Sequence, residues 1–223
     1  MLIDPDAPAD KPEIEQMKVI HRALRREYAH LPALVTAVPA GDTARARLVG
    51  AHLSLVLGML HEHHEAEDEL IWPVLLPRIA PESDLIATME KQHHAIADAV
   101  EAISAGLPTW TAHVDATARD HLAAALRDVD AALTEHLDLE ESRVLPLVHE
   151  HLTVPEWLAP QKHAMQHGPK SLSSKLTLVG LILQDATERE RGWFLGEMPA
   201  PARLLWRFKG ARQFEAYRRA LQG

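Results

Sequence analysis

The chain has 223 residues, 47% of them hydrophobic, which is enough for one large domain or for a domain with an extension. Its formal net charge of −9 argues against general nucleic-acid binding, which depends on neutralising phosphates with Lys and Arg. Cysteine is absent, which excludes disulfides, thiolate metal sites and thiol catalysis and suits a reducing compartment, whereas histidine is abundant at 15 residues.

The first eleven residues predict a short N-terminal tail, because they are acidic and are interrupted by Pro5 and Pro8. They have neither the cationic start nor the apolar centre of a secretory signal. No stretch of the chain approaches the roughly 18 uninterrupted apolar residues that a membrane-spanning helix needs. We therefore expect a cytoplasmic protein that binds neither membranes nor nucleic acids.

Four long helices are predicted after the tail, because apolar residues recur at three- and four-residue spacing and no segment alternates with period two for long. Pro73 and Pro146 limit the second and the fourth helix. The predicted helices span about 12–34, 43–69, 81–109 and 111–148. Short connections between four long helices predict an all-α protein with an antiparallel up-down bundle over residues 12–152.

Residues 153–223 do not continue this pattern and predict a helical extension. Its last segment, 198–223, contains six Lys or Arg and one Asp or Glu, a net charge of +5 against −14 for residues 1–197. Aromatic residues alternate with these cations. This pattern favours C-terminal helices that pack on the acidic bundle over an interfacial or partner-binding helix.

Two segments 73 residues apart carry the same motif, in which a His is followed by Glu after four residues and by Pro after ten. Four residues are about one helical turn, so each His–Glu pair can bind one point in space. This is metal-ligand spacing, and it occurs twice. The two copies are His63, Glu67 and Pro73, and His136, Glu140 and Pro146.

A single histidine precedes each motif: His21 lies 42 residues before the first, and His93 lies 43 residues before the second. The apolar residues around the two histidines match at an offset of 72, as Met17 does with Met89, and this register selects His93 over His94. With one such histidine on each of the first and third helices, the candidate ligands surround a point in the core. An accidental repeat of surface histidines would not place them on apolar stripes.

Other polar residues near the motifs support weaker predictions. We expect most of the polar residues around the first motif to be solvated, with His64 as an alternative outer-shell or entry residue. Tyr28 shares a helix face with His21 and either packs in the core or faces the metal site, and Glu90 is an alternative ligand. Neither histidine-rich segment is HExxH, so metalloprotease activity is not indicated. The residues expected to be mostly solvated are His61, Glu62, His64, Glu65, Asp68 and Glu69, and those expected on the surface are His149, His151, His163 and His167.

Residues 12–150 resemble the hemerythrin-like family, the HHE cation-binding domain. The family pattern is a lone His on the first helix, then HxxxE followed by an apolar or aromatic residue and Pro, then the same again. The resemblance implies a four-helix bundle that holds two non-haem Fe ions per chain, bridged by two carboxylates and by an oxo or hydroxo group. The metal ligands that it implies are His21, His63, Glu67, His93, His136 and Glu140.

The sequence departs from the oxygen-carrying members of the family, for which the resemblance implies five histidines, two of them on the third helix and four residues apart. Here Met89 and Ala97 occupy the positions four residues from His93. Imidazole and carboxylate ligands without sulfur suit iron, manganese, copper or zinc, and two bridging carboxylates with two imidazoles per metal are typical of di-iron sites. Four histidines would leave one open position on each metal.

The resemblance and the open positions together predict a protein that binds O2, peroxide or NO, with peroxide decomposition or oxidase activity as an open question. A second hypothesis is a non-enzymatic oxygen, redox or iron sensor that signals through its C-terminal helices. A third is a helical scaffold without a metal. The sequence leaves the choice among these, and the oligomeric state, open.

Overall fold

The computed structural model describes residues 3–4, 8 and 10–223, so the predicted tail, 1–11, lies partly outside the described residues. Four long helices pack side by side in a closed ring, and no strand occurs in the described part of the chain. The fold is therefore the predicted all-α, antiparallel up-down bundle. Its helices are α1 (Glu15–Thr36), α2 (Thr43–Leu70), α4 (Ser83–His113) and α5 (Ala116–Leu139), with a short α3 (Trp72–Leu75) after α2.

Shorter helices follow the bundle. A π-helical turn, Glu140–Val144, continues α5, and a second one, Trp206–Gly210, precedes the last helix. Within the described ranges, no helix is long and apolar enough to cross a membrane. The helices are α6 (Leu145–His151), α7 (Val154–Trp157), α8 (Ala159–His167), α9 (Leu172–Leu183), α10 (Glu188–Glu197), α11 (Ala200–Leu205) and α12 (Ala211–Gln222).

The predicted boundary between the third and fourth bundle helices was wrong. α4 continues through Pro108 as far as His113 and ends at Val114, which has a left-handed φ of 51°. Pro108 removes one backbone hydrogen bond, but Leu107 and Trp110 on either side of it are buried, and their burial offsets that loss. The next helix therefore begins at residue 116, not at 111.

The π-helical turn after α5 was not predicted. Such turns are rare, and they occur frequently at functional sites. This one begins at Glu140 and ends two residues before Pro146, whose nitrogen cannot donate a helical hydrogen bond. The wider turn therefore accommodates a residue that cannot donate a helical hydrogen bond. It also contains Glu140, a predicted metal ligand, and affects the direction of that side chain.

The buried apolar side chains form two clusters, one on each side of a polar layer. Along α4, Met89 belongs to one cluster and Ile96 to the other, with His93 between them. Along α1, Met17 packs against one cluster and Leu24 belongs to the other, with His21 between them. The polar layer is thus enclosed by apolar packing at both ends of the bundle.

The last helices of the extension pack against this bundle. Trp206 and Phe214 join the larger core cluster, and the Phe214 ring lies where a Cβ on Gly180 would be only 2.2 Å away, so α9 and α12 approach closely at the glycine. The hydroxyl of Tyr217 lies 2.9 Å from Nδ1 of the buried His52 on α2. Phe208, by contrast, is 69% exposed.

Candidate metal centre

The polar layer contains all six residues that the repeat singles out. They come from four different helices or their direct continuations, and each side chain is almost completely removed from solvent. The side chains of His21 and His136 are 0% exposed, those of Glu67 and Glu140 1%, that of His93 2% and that of His63 9%.

Four of these residues form the first half of the centre. His21, His63, Glu67 and Glu140 place one ligand-type atom each within 4.8 Å of the others. Nε2 of His21 is 3.3 Å from Oε2 of Glu140, and Nε2 of His63 is 3.5 Å from Oε1 of Glu67. Two imidazoles and two carboxylates therefore converge on one point.

Three histidines form the second half: His64, His93 and His136, again within 4.8 Å of one another. The Nε2 atoms of His93 and His136 are 3.2 Å apart. Two neighbouring ligands, each about 2.1 Å from one ion, lie about 3.0 Å apart when they subtend a right angle at it. The observed separation suits two nitrogens that share a cation.

The prediction that His64 is mainly solvated was wrong. It is 6% exposed, and its ring stacks on that of His93 with centroids 4.0 Å apart. Consecutive residues lie about 100° apart around a helix. Because α2 packs between α1 and α4, His63 turns towards His21 and His64 turns towards His93. The centre therefore has a fifth imidazole, which α2 contributes. α4 contributes only His93, because Met89 and Ala97 occupy the positions four residues from it.

The two buried glutamates lie between the halves. Glu67 has Oε1 3.5 Å from Nε2 of His63 and Oε2 3.6 Å from Nε2 of His93. Oε2 of Glu140 is 3.3 Å from Nε2 of His21 and 3.8 Å from Nε2 of His136. Each carboxylate thus faces imidazoles of both halves, which is the position that a bridging ligand requires.

Outer polar groups orient three of the imidazole rings through their Nδ1 atoms. A carboxylate can only accept, so the ring donates from Nδ1 and directs the lone pair of Nε2 inward. The sequence interpretation missed these partners, although the repeat contains a signal for two of them: Asp68 and Glu141 correspond at the offset of 73 residues. The pairs are Asp68 with His93 at 2.7 Å, Glu141 with His21 at 3.0 Å and Gln92 with His136 at 3.2 Å.

Burial shifts the protonation equilibria of the site. It lowers the pKa of His63 and of His64 well below the usual value, with the neighbouring histidines adding to the effect, and it lowers that of His136 to about 3. Burial and the nearby Glu140 raise the pKa of Glu67 well above the usual value, and burial also raises that of Glu140. Burial thus favours the neutral form of these three imidazoles, which can bind a cation, and it disfavours ionised carboxylates unless a cation is present.

The donor set fits a pair of cations. Six buried nitrogen and oxygen atoms at the centre have no hydrogen-bond partner among the described residues. An unpaired buried polar atom costs about 1–3 kcal/mol, and a metal ion removes that cost by accepting its lone pair. The set contains no sulfur, which suits iron, manganese, copper or zinc. The atoms are Nε2 of His21, His63 and His64, both Oε atoms of Glu67, and Oε2 of Glu140.

The other candidate residues lie elsewhere. Tyr28 is 0% exposed and belongs to the larger apolar cluster, and its hydroxyl has no partner among the described residues. Glu90 and His94 are exposed, so the apolar register that selects His93 holds. His149 donates from Nδ1 to the carbonyl of Pro12 at 2.8 Å and is only partly exposed.

A cavity of about 700 Å³ between α2 and α4 leads to the second half of the centre. His64 and His93 lie at its inner end, and apolar side chains such as Leu57 and Ile96 form its walls. Carboxylates also line it, among them Glu65 and Asp68. The cavity connects the surface with the histidines of the polar layer.

Comparison with known proteins agrees with this geometry. The family described as the hemerythrin HHE cation binding domain matches residues 13–148, which include α1, α2, α4, α5 and every residue of the polar layer. Neither a curated protein nor a solved structure matches the chain at a significant level. The family match covers more than half of the chain, and it runs from just before α1 into α6, so that it spans the four bundle helices. The chain therefore belongs to the hemerythrin HHE cation-binding family, and it is a metal-binding helical protein.

Proposed function

We propose that this chain is a cytoplasmic, non-haem di-iron protein that binds O2 or a related small oxidant, peroxide or NO. The observation that supports it best is the position of Glu67 and Glu140 between two groups of imidazoles. Two buried carboxylates that each face both groups are typical of dinuclear sites in helical bundles. The proposed ligands are His21, His63, Glu67, His93, His136 and Glu140, with His64 added from its position.

The unequal halves support small-molecule binding at one side of the pair. The half with His64 has three imidazoles, whereas the half with His21 and His63 has two. With the same two carboxylates shared by both, the two-imidazole half has fewer protein ligands and more room for an added ligand. A bound iron pair would supply redox chemistry with O2, peroxide or NO.

The chain itself contributes orientation and exclusion of water. Asp68 and Glu141 hold two rings by their Nδ1 atoms, and the apolar clusters seal the polar layer at both ends. The cavity beside His64 and His93 offers a path from the surface for a small molecule. Its carboxylate lining also favours the entry of metal cations.

Metal content measured together with an optical spectrum tests the proposal. Protein purified from iron-replete cells should contain about two irons per chain and absorb in the near ultraviolet through oxo-to-iron charge transfer. Protein with no transition metal that also takes up none on reconstitution would refute it. Mononuclear zinc would refute the dinuclear part. Consumption of peroxide or O2 by the iron-loaded protein then separates an enzyme from a binding protein.

A second candidate function is a sensor that signals through its C-terminal helices. Phe208 is 69% exposed within the basic C-terminal segment, and Tyr217 of the same segment is hydrogen-bonded to His52 on α2, the helix that carries His63 and Glu67. The C-terminal segment thus offers an exposed aromatic ring to a partner, and through Tyr217 it contacts the helix that carries proposed ligands. Metal-dependent binding of a partner without turnover would favour this function over an enzyme.

A further inference from the structure

A third group of polar side chains lies on the outer side of α2, where α8 packs against it. It consists of Glu62, Glu65 and His163, which place one ligand-type atom each within 4.8 Å of the others. At about 100° per residue, Glu62 and Glu65 lie on the side of α2 that faces away from His63 and Glu67. The group is therefore separate from the dinuclear centre.

Two atoms of this group are buried without a partner. Oε2 of Glu62 and Nε2 of His163 each expose less than 1 Å² to solvent, and neither has a hydrogen-bond partner among the described residues. A buried carboxylate and a nearby imidazole ordinarily hydrogen-bond to each other. Here the two side chains place ligand-type atoms within 4.8 Å of each other without a hydrogen bond between them, so one ion could accept a lone pair from each.

The spacing suits a metal ion. In a tetrahedral site, two ligands that are each about 2.1 Å from the ion lie about 3.4 Å apart. Starting from the 4.8 Å limit of the group, the ligand atoms need to approach one another by up to about 1.4 Å. Side-chain rotation supplies such a movement without a change in the helices.

The described side chains of the helix that carries His163 give it little support through burial. α8 has nine residues, too few for a stable isolated helix, and none of its described side chains is buried. It nevertheless packs along α2. A cation bound by residues of both helices would stabilise that packing.

We propose that Glu62, Glu65 and His163 form a second, mononuclear cation site, which binds Zn²⁺ and fastens α8 of the extension to α2. Two carboxylates and one imidazole provide three ligands of the types that Zn²⁺ accepts, and water can complete the tetrahedron. This site goes beyond the proposed function and does not depend on it, because its residues take no part in the dinuclear centre. The prediction that His163 is an ordinary surface residue is thereby revised.

Zinc binding to the iron-loaded full-length protein tests the site. With iron already in the dinuclear centre, titration with Zn²⁺ should show about one additional zinc per chain without loss of iron. His163→Ala and Glu62→Gln should each abolish that binding. His121→Ala, which removes an exposed histidine from α5, is the control and should bind zinc as the unaltered protein does.

Hydrogen exchange provides a second measurement, whose main comparison is made on the unaltered protein with and without Zn²⁺. In the unaltered protein, Zn²⁺ should slow exchange in residues 159–167, and it should have no such effect in His163→Ala. Zinc taken up only as iron is lost would overturn the proposal. So would zinc binding that both substitutions leave intact, or α8 exchange that zinc does not change.

Discussion

Removing the metal should lower the stability of the bundle by an amount that the polar layer allows us to estimate. Six buried atoms there lack hydrogen-bond partners among the described residues, and at about 1–3 kcal/mol each the gross cost is about 6–18 kcal/mol, an upper bound because water can enter from the cavity. At a free iron concentration of 1,000 times Kd, linkage stabilises the folded state by about 4 kcal/mol. For a chain of this length, each kcal/mol corresponds to about 2–4 °C, so the melting temperature should fall by about 8–16 °C.

The assay compares iron-loaded and chelator-stripped protein by calorimetry and by hydrogen exchange. Stripping should increase exchange mainly around residues 63–67 and 136–140, and it should affect the C-terminal helices less. Glu67→Gln should reduce the difference in melting temperature, whereas Glu90→Gln, an exposed glutamate on α4, should leave it unchanged. Equal exchange protection around both motifs in the two forms would show that metal does not bind between these helices.

Three further measurements test single features of the site. His64→Ala should weaken the binding of one of the two irons, because it reduces the second half from three imidazoles to two, the number in the first half; an iron titration with two unchanged affinities would remove His64 from the ligand set. Since burial raises the pKa of Glu67, iron binding should release a proton at pH values below that pKa, and affinity should fall about tenfold per pH unit per proton displaced as the pH is lowered. Calorimetry in buffers of different ionisation enthalpy measures this release, which Glu67→Gln should reduce but not abolish, because burial also raises the pKa of Glu140. Gly58→Leu should slow NO binding several-fold by filling the cavity, whereas Gly106→Leu, also a helical glycine with open space at its Cβ, should not; equal stopped-flow rates would exclude the cavity as the route.

The repeat predicts the bundle and the six residues of the polar layer because a helix makes spacing informative. Residues four apart lie on one face, so the pairs His63–Glu67 and His136–Glu140 follow from local geometry alone. The apolar register around His21 and His93 likewise separates the buried histidine from its exposed neighbour. These are properties of single helices, and the burial of all six side chains agrees with them.

The helix boundaries were harder to predict, since tertiary packing competes with local signals there. Pro108 is an expected stop, yet burial of Leu107 and Trp110 carries α4 past it. The π-helical turn at Glu140 has no simple periodic signature, and it occurs where a proline follows a buried glutamate. At Pro108 the energy of packing outweighs backbone preference, whereas at Glu140 the helix adapts to the proline that follows.

By itself, the sequence determined which residues could share a helix face, and hence the fold class and two candidate ligand pairs. Only the tertiary structure decided that His64 also faces inward, that Asp68 and Glu141 hold rings on other helices, and that His163 lies beside Glu62. The physical reason is that helical periodicity specifies direction relative to one axis. How the helices pack against one another decides which neighbouring residue lies in that direction, and whether the side chain faces protein or water.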